Sequence, residues 1–343
     1  MQLYNKLSSD EREKILEASN LDRITLSFYK YASIKNPAKF RDDLFIFWNF
    51  IDVLGRIYIA NEGINAQLSL PKKNLKIFSN QLMKIPCLKD VRINIALQHN
   101  LKSFLKLKIK VKDKIVADGL NDNSFDVTKK GKHVNAKEFN KLMKDKNSIV
   151  LDMRNHYESE IGHFKNAICP DVDTFRDSLN IIERDVLKNK KDKKLLMYCT
   201  GGIRCEKASA YFKHKGFLNV FQLEGGIIEY AKQVKQLGLE NNFIGKNFVF
   251  DGRMAEEVGK QVIANCHQCG NPFDIHTNCA NDACHLLFIQ CENCKELMHN
   301  CCSYECKEVY GKSINEQKAL RKDKKTKYDI FKKGRTTKVS RIN

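Results

Sequence analysis

The residues best suited to chemistry surround a cysteine at the end of an apolar run. Residues 195–198 predict a buried strand, Cys199 follows it, and Ile203 and Arg204 begin a predicted helix. The loop between them consists of Thr200, Gly201 and Gly202. Ligands bind at the carboxyl ends of strands in open α/β sheets, where convergent amides and a helix N-terminus favour an anion. Cys199 is therefore predicted to be a stabilised thiolate and nucleophile; the alternative is a buried cysteine above an ordinary glycine turn.

A second set of reactive residues lies near the C-terminus, where nine of the 13 cysteines fall between Cys266 and Cys306. Two Cys-x2-Cys pairs have the spacing of metal knuckles, and zinc takes four thiolate or imidazole ligands. The eight predicted ligands are Cys266, Cys269, Cys279, Cys284, Cys291, Cys294, Cys301 and Cys306, with His267, His276, His285 and His299 as further candidates. The sequence leaves the pairing of these ligands open. Reduced cysteines that pack a small core are the alternative to structural zinc.

Composition bounds the class of protein. The chain has 343 residues and a net charge of +19 from 60 basic and 41 acidic side chains. No apolar run approaches the roughly 18 to 20 residues of a membrane span, and the first residues carry no apolar signal-peptide core. We expect a cytoplasmic protein in a reducing compartment that does not bind membranes. The positive charge favours a polyanionic partner; nucleic acid is the first candidate and an anionic membrane surface a weaker second.

The N-terminal part predicts a ferredoxin-like α+β domain over 20–120. Strands are expected at 24–32, within 55–70 and at 91–97, and helices at 37–50 and from Pro71 to Met83. The first of the helices begins with a proline, and the two strands within 55–70 are separated by a tight turn near Gly63. The order βαββαβ is that of a split βαβ unit.

A strand over 104–112 alternates strictly between apolar and basic residues. Its predicted buried face consists of Leu105, Leu107, Ile109 and Val111. Its opposite face consists of Lys106, Lys108, Lys110 and Lys112. We predict that this lysine row contacts RNA phosphates; a solvated strand face is the alternative.

The pattern changes after a linker over 113–134. Asn135 and Glu138 predict a capping box, and apolar strands at 149–152, 195–198 and 220–223 alternate with helices. Apolar strands separated by helices predict a parallel sheet, so 135–238 is read as an α/β domain. The cysteine-rich module is predicted at 245–311, and a disordered basic tail at 312–343.

The loop from Cys199 to Arg204 resembles the six-residue active-site loop of rhodanese-like domains. Residues 151–167 and 223–226 resemble the motifs that flank it in that family. Five stretches, in order, are similar to the bacterial tRNA uridine-34 hydroxylases, a rhodanese-domain family. They are GRIYIANEGINAQ at 55–67, KIVADG at 114–119, LDMRNHYESEIGHF at 151–164, YCTGGIRCEKASAYF at 198–212 and the cysteine segment at 266–291.

This resemblance implies an architecture and a function. It implies a ferredoxin-like domain, a rhodanese domain and a cysteine-rich tail, and the production of 5-hydroxyuridine in the anticodon loop of tRNA with molecular oxygen as co-substrate. The reactive cysteine of the family, which carries a persulfide intermediate, falls on Cys199. Asp152 and Arg154 are read as a structural pair that supports the loop. The chain carries no NAD, flavin or haem motif.

Two other functions fit the same residues. A rhodanese-type sulfurtransferase would use the same cysteine with a small-molecule sulfur donor. A non-catalytic, zinc-containing RNA-binding protein would retain the basic surfaces, but the intact loop from Cys199 to Arg204 counts against it. Cys205 either packs against the loop or acts as a resolving thiol.

Overall fold

The computed structural model describes residues 7–19, 21–120, 125–188, 190–322 and 337–342. Its α-helices are α1 (Ser9–Ala18), α2 (Pro37–Phe50), α3 (Leu75–Lys84), α4 (Ala136–Met143), α5 (His156–Ser159), α6 (Phe175–Ile181), α7 (Ile203–His214), α8 (Gly226–Leu237), α9 (Glu292–Met298), α10 (Tyr304–Tyr310) and α11 (Ile314–Lys322). None of the helices in these ranges combines the length and apolar character needed to cross a bilayer.

The strands are short, and most lie in the first two thirds of the chain. They are β1 (Arg23–Tyr31), β2 (Leu54–Ala60), β3 (Gly63–Pro71), β4 (Asn94–Ile95), β5 (Leu107–Val111), β6 (Lys132–Val134), β7 (Ser148–Asp152), β8 (Gly162–Phe164), β9 (Lys194–Tyr198), β10 (Val220–Leu223), β11 (Phe243–Phe248), β12 (Ala255–Glu257), β13 (His276–Asn278) and β14 (Leu287–Ile289).

The chain divides into two compact units. The first comprises Met1–Ser148, Lys191–Glu240 and Val249–Arg253, and the second comprises Ile149–Lys190, Asn241–Phe248 and Met254–Asn343. The boundaries of the three predicted domains stay predictions, because these units follow spatial compactness and interleave along the chain.

The first unit contains a five-stranded sheet in the order β4-β1-β3-β2-β5. The strands β4, β1, β3 and β2 pair with one another in antiparallel register, which confirms the predicted ferredoxin-like architecture. β5 joins the edge in parallel with β2, so that Ile57 lies opposite Ile109. One face of this sheet is buried around the rings of Phe28, Trp48 and Phe78, whose centroids lie 5.5 to 6.3 Å apart.

The same unit contains three parallel strands, β6, β9 and β10, and the cysteine loop directly follows β9. β10 pairs in parallel with β6 on one side and β9 on the other. The predicted capping box of Asn135 and Glu138 is present at the start of α4. Leu195, Leu196 and Met197 in β9 are fully buried, as expected for strands covered on both faces.

The second unit contains smaller sheets. β11 pairs with both β8 and β12 in antiparallel register, and β13 and β14 form an antiparallel pair in the cysteine-rich region. β7 carries Leu151, which forms a parallel bridge with Ile168. The helices α9 and α10 contain Cys294 and Cys306, respectively, which are two of the predicted metal ligands.

Several predicted elements have other bounds in the structure. The strand predicted over 91–97 contains only Asn94 and Ile95. Pro71 ends β3 opposite Arg23, so the following helix begins only at Leu75. The strand predicted over 104–112 covers only 107–111. Its predicted buried face is wrong at Val111, which is 42 % exposed because it ends an edge strand.

The predicted tail disorder also differs from the structure. Residues 314–322 form α11, in which Arg321 pairs with Asp282 at 2.8 Å. Farther along, Val339 is buried, and the Ser340 amide donates to the Cys302 carbonyl at 3.0 Å. An ion pair at 314–322, and an apolar contact and a backbone hydrogen bond at 339–340, therefore hold segments that the composition predicted to be disordered. Residues 323–336 lie outside the described residues.

Candidate functional site

Cys199 lies directly after β9 and is fully buried. Gly202 is the N-cap of α7, and its φ of +100° is a conformation that favours glycine. This conformation directs the Gly202 amide back to the Cys199 sulfur, 3.1 Å away. The predicted loop of Thr200, Gly201 and Gly202 therefore forms a cradle that stabilises negative charge on sulfur.

The environment favours the thiolate of Cys199. Burial raises its pKa, but the hydrogen bond from the Cys205 thiol, the Arg204 charge and the Arg204 and Gly202 amides together lower the pKa to about 6. Burial and the neighbouring Cys199 raise the pKa of Cys205 well above its usual value. Cys199 is therefore ionised near neutral pH and Cys205 is the protonated partner, an arrangement suited to nucleophilic chemistry.

The N-terminal sheet contributes side chains around this loop, and sequence reasoning missed them. The Tyr29 hydroxyl lies 3.2 Å from Glu206 Oε1, and Asn94 Nδ2 lies 3.5 Å from the Gly201 carbonyl oxygen. Arg92 pairs with Glu224. More than 100 residues separate the members of each pair along the chain, so no local pattern could have predicted these contacts.

A buried lysine on α7 joins the same two parts of the first unit. Lys207 has no exposed side-chain surface, and its Nζ lies 2.6 Å from Glu62 Oε2 and 3.0 Å from Asp118 Oδ2. Asp118 is also fully buried, within the stretch that was predicted to be a linker. A buried charge needs such partners, so this ion-pair cluster fixes α7 against the N-terminal sheet and the loop after β5.

Asp152 and Arg154 form a fully buried ion pair in the second unit. The Arg154 Nη2 lies 2.6 Å from Asp152 Oδ2 and also donates to the Gly162 carbonyl at 2.6 Å. The pair joins the end of β7 to the start of β8. Its predicted support of the Cys199 loop stays a prediction.

The second unit also contains a cavity of about 410 Å³ that the sequence did not predict. Its lining includes His156, Glu160, His163 and Cys169. Burial raises the pKa of Glu160, but hydrogen bonds from two histidines outweigh it and hold the pKa at about 2. His267 of the first cysteine knuckle is one of them, with Nε2 2.9 Å from Glu160 Oε1.

The cysteine-rich region brings thiols together in two groups of four. The groups are Cys266, Cys269, Cys291 and Cys294, and Cys279, Cys284, Cys302 and Cys306. The sulfurs of each group lie within 4.8 Å of one another. Four sulfurs about 2.3 Å from a tetrahedral zinc ion are separated by roughly 3.8 Å, so either group could hold a metal ion.

One position differs from the predicted ligand set. Cys302, and not Cys301, completes the second group, with its sulfur 3.7 Å from those of Cys284 and Cys306. Cys301 instead directs its thiol towards the His299 carbonyl, 3.6 Å away, and packs in the module's core. Adjacent residues direct their side chains differently, and spacing alone could not decide between them.

The lysine row lies along an edge strand. Lys108, Lys110 and Lys112 are exposed, whereas Lys106 is half-buried and precedes β5. Arg56 on β2 lies opposite Lys108 and was not predicted to belong to this surface. Burial, followed by repulsion from Lys106, Arg56 and Lys110, lowers the pKa of Lys108. This concentration of like charge makes the edge attractive to an anion.

Comparison with known proteins agrees with this arrangement. Residues 23–115 match a UPF0176 acylphosphatase-like domain, 135–233 a rhodanese-like domain and 244–307 a rhodanese C-terminal region. A crystal structure of a rhodanese-related protein from Thermoplasma volcanium is 24 % identical, covers 30 % of this chain and 92 % of its own, and gives a TM-score of 0.25. Together, the domains and the cysteine loop define a multidomain rhodanese-like protein.

Two relatives show to which family within this class of protein the chain belongs. A tRNA uridine(34) hydroxylase from Leptospira interrogans is 54 % identical over 97 % of this chain and 90 % of its own length. One from Photorhabdus laumondii is 48 % identical over 97 % and 95 %, respectively. The chain belongs to the tRNA uridine(34) hydroxylase family, which confirms the resemblance found in its sequence.

Proposed function

We propose that this protein hydroxylates uridine 34 of tRNA to 5-hydroxyuridine and that Cys199 is its reactive residue. The observation that carries the proposal is a buried thiolate with a pKa of about 6, held by Gly202 and Arg204, in a chain 54 % identical to a tRNA uridine(34) hydroxylase. A thiolate at neutral pH can attack an electrophile or carry a persulfide sulfur. Molecular oxygen is the proposed co-substrate, and the cytoplasm is the proposed compartment.

The proposed partner is the anticodon loop of tRNA. Lys106, Lys108, Lys110 and Lys112 are the proposed phosphate contacts, with Arg56 beside them. Lysines bind phosphates as point charges and carry no base specificity, so this surface would supply affinity and orientation. Base choice must come from residues nearer the cysteine.

We further propose that both thiol groups of the cysteine module hold structural zinc. A zinc site with four protein ligands has no open position and serves folding rather than chemistry. Both groups fit this description, because each offers four sulfurs. Asp152 and Arg154 are proposed to have a structural role as well.

The decisive experiment measures modified nucleosides in tRNA. Cells that lack the gene should lack 5-hydroxyuridine and its derivatives, and the wild-type gene should restore them. A gene encoding Cys199→Ser should not restore them, although the protein accumulates. Unchanged tRNA in the deletion strain, together with thiosulfate sulfurtransferase activity of the purified protein, would replace this function with that of a sulfurtransferase.

A further inference from the structure

Two buried polar atoms beside the cysteine loop have no hydrogen-bond partner among the described residues. They are Oδ1 of Asn94 and Oγ1 of Thr200. Asn94 is only 2 % exposed, so bulk water does not satisfy its amide. Such atoms are rare in folded proteins because each one costs free energy, and a bound ligand is one explanation for them.

The contacts of Asn94 favour one orientation of its side-chain amide. Its backbone pairs with Ser27 of β1, and its Nδ2 faces the Gly201 carbonyl oxygen at 3.5 Å. Rotating the amide by half a turn would set two oxygens against each other at that position. Oδ1 is therefore the atom left to accept, and the second Nδ2 hydrogen is left to donate.

The neighbouring side chains hold this part of the N-terminal sheet against the loop. Tyr29 on β1 donates to Glu206 of α7, and Arg92 pairs with Glu224. A side-chain carbon at Gly202 would lie 2.8 Å from the Tyr29 hydroxyl, so the packing is close. Asn94, with its unpaired oxygen, thus lies in a closely packed part of the first unit that contacts the cysteine loop.

We propose that Asn94 reads the base of the substrate nucleotide through its Watson–Crick edge. This inference rests on the proposed function, which makes that base a uracil. Uracil presents its N3–H donor beside the O4 acceptor. These two groups match the unpaired Oδ1 and the remaining Nδ2–H of Asn94. The unpaired Thr200 hydroxyl is assigned to the second ring carbonyl as part of the same proposal. Enzymes that modify a base commonly read its Watson–Crick edge in this way.

This orientation of the Asn94 amide also favours uracil over cytosine. Cytosine carries an amino group where uracil has O4, and its neutral N3 has no hydrogen. In the pose that suits uracil, Nδ2–H would face an amino donor and Oδ1 would face an unprotonated nitrogen. The Gly201 carbonyl opposes the rotation of the Asn94 amide that would repair this mismatch.

The test compares binding of anticodon stem-loop RNAs that contain either uridine or N3-methyluridine at position 34. Methylation removes the N3–H donor, so the wild-type protein should bind the methylated RNA more weakly. A bidentate pair is worth roughly 5- to 150-fold in affinity, so Asn94→Ala should weaken binding of the uridine RNA by this factor and leave binding of the methylated RNA unchanged. The ratio of the two affinities should then fall to about one. The matched control is Asn65→Ala, which removes an amide on β3 that donates to the Ile115 carbonyl, and it should keep the wild-type preference.

The outcomes separate this inference from the proposed function. Asn94 has no role in base reading if Asn94→Ala is folded by thermal melting and retains the wild-type preference. Equal binding of both RNAs by the wild-type protein overturns the inference without any variant, which covers the case in which Asn94→Ala does not fold. Absence of 5-hydroxyuridine from the tRNA of cells that contain the wild-type protein would instead refute the proposed function.

Discussion

At the scale of single residues, the chemistry depends on one sulfur whose charge is set by close neighbours. Burial alone would make Cys199 a poor thiolate, yet Cys205, Arg204 and the Gly202 amide more than reverse this effect. The cradle exists because a strand, a glycine turn and a helix follow one another without extra residues. The reactivity of Cys199 is thus a property of the loop rather than of cysteine itself.

The first prediction tests the role of Cys199 as the nucleophile. Cys199→Ser keeps the size of the side chain but replaces a thiolate with a hydroxyl that stays protonated near pH 7. We expect a folded protein with no detectable hydroxylation, measured by nucleoside mass spectrometry. Wild-type 5-hydroxyuridine from this variant would remove Cys199 from the mechanism, and Cys87→Ser, outside the loop, is the control.

The second prediction concerns pH. The pKa of Cys199 in the folded protein, about 6, lies below the ordinary thiol value of 9.0. The ionised thiol therefore stabilises the fold fully above pH 9, and this contribution disappears as the pH falls through 6. The activity should also rise with pH to a plateau with a midpoint near 6. The difference in ultraviolet thiolate absorbance between wild type and Cys199→Ser measures the midpoint, and a value near 9 would contradict the cradle.

At the scale of elements, the sequence predicted those whose evidence is local. The helix at Pro37, the capping box at Asn135 and the strand before Cys199 followed from caps and apolar patterns. The short extent of β4 and the exposure of Val111 depend on which strand lies beside them, and that information is non-local. The contact of Asn94 with Gly201 was out of reach for the same reason.

The third prediction tests the lysine row. Changing Lys106, Lys108 and Lys110 to Gln should reduce the salt dependence of tRNA binding by roughly two units, at about 0.7 per phosphate for a single-stranded loop. Cognate and non-cognate tRNAs should weaken alike. The control, with the exposed Lys137, Lys141 and Lys146 changed to Gln, loses the same net charge. An unchanged slope in the first variant would mean that this strand does not contact RNA.

The fourth prediction tests metal binding by the first thiol group. Thiolate–zinc ligation can contribute on the order of 10 kcal/mol to folding a small module. Cys266→Ser should therefore lose about one zinc ion per chain and make residues 262–308 sensitive to protease, while Cys301→Ser should retain both ions. Elemental analysis and limited proteolysis measure these outcomes. A metal-free wild-type protein with a protease-resistant module would refute structural zinc.

At the scale of the whole molecule, the first unit is joined by buried charge as well as by apolar packing. The Lys207 cluster connects α7, which follows the cysteine loop, to Glu62 in the turn between β2 and β3 and to Asp118. No sequence pattern distinguished this lysine from the many exposed ones. This long-range ion-pair cluster is thus one of the contacts that fix α7 and its cysteine loop against the N-terminal sheet.

The fifth prediction follows from that cluster. Lys207→Ala removes the cation that bridges Glu62 and Asp118 and leaves Asp118 with Lys114 alone. Breaking a buried pair costs about 3–5 kcal/mol. Urea unfolding should show this loss of stability, and tRNA hydroxylation should fall as well. Lys213→Ala, at an exposed position of the same helix, should change neither. Unaltered stability of Lys207→Ala would mean that the cluster does not hold the unit together.

The cover over the second thiol group has a consequence for how the protein is made. Val339 packs against that group, and the Ser340 amide bonds to the Cys302 carbonyl. Because a ribosome makes a chain from its N-terminus, all four cysteines of the group are synthesised before the residues that cover them. The proposed metal can therefore enter a nascent module before Val339 and Ser340 are synthesised and cover the second thiol group.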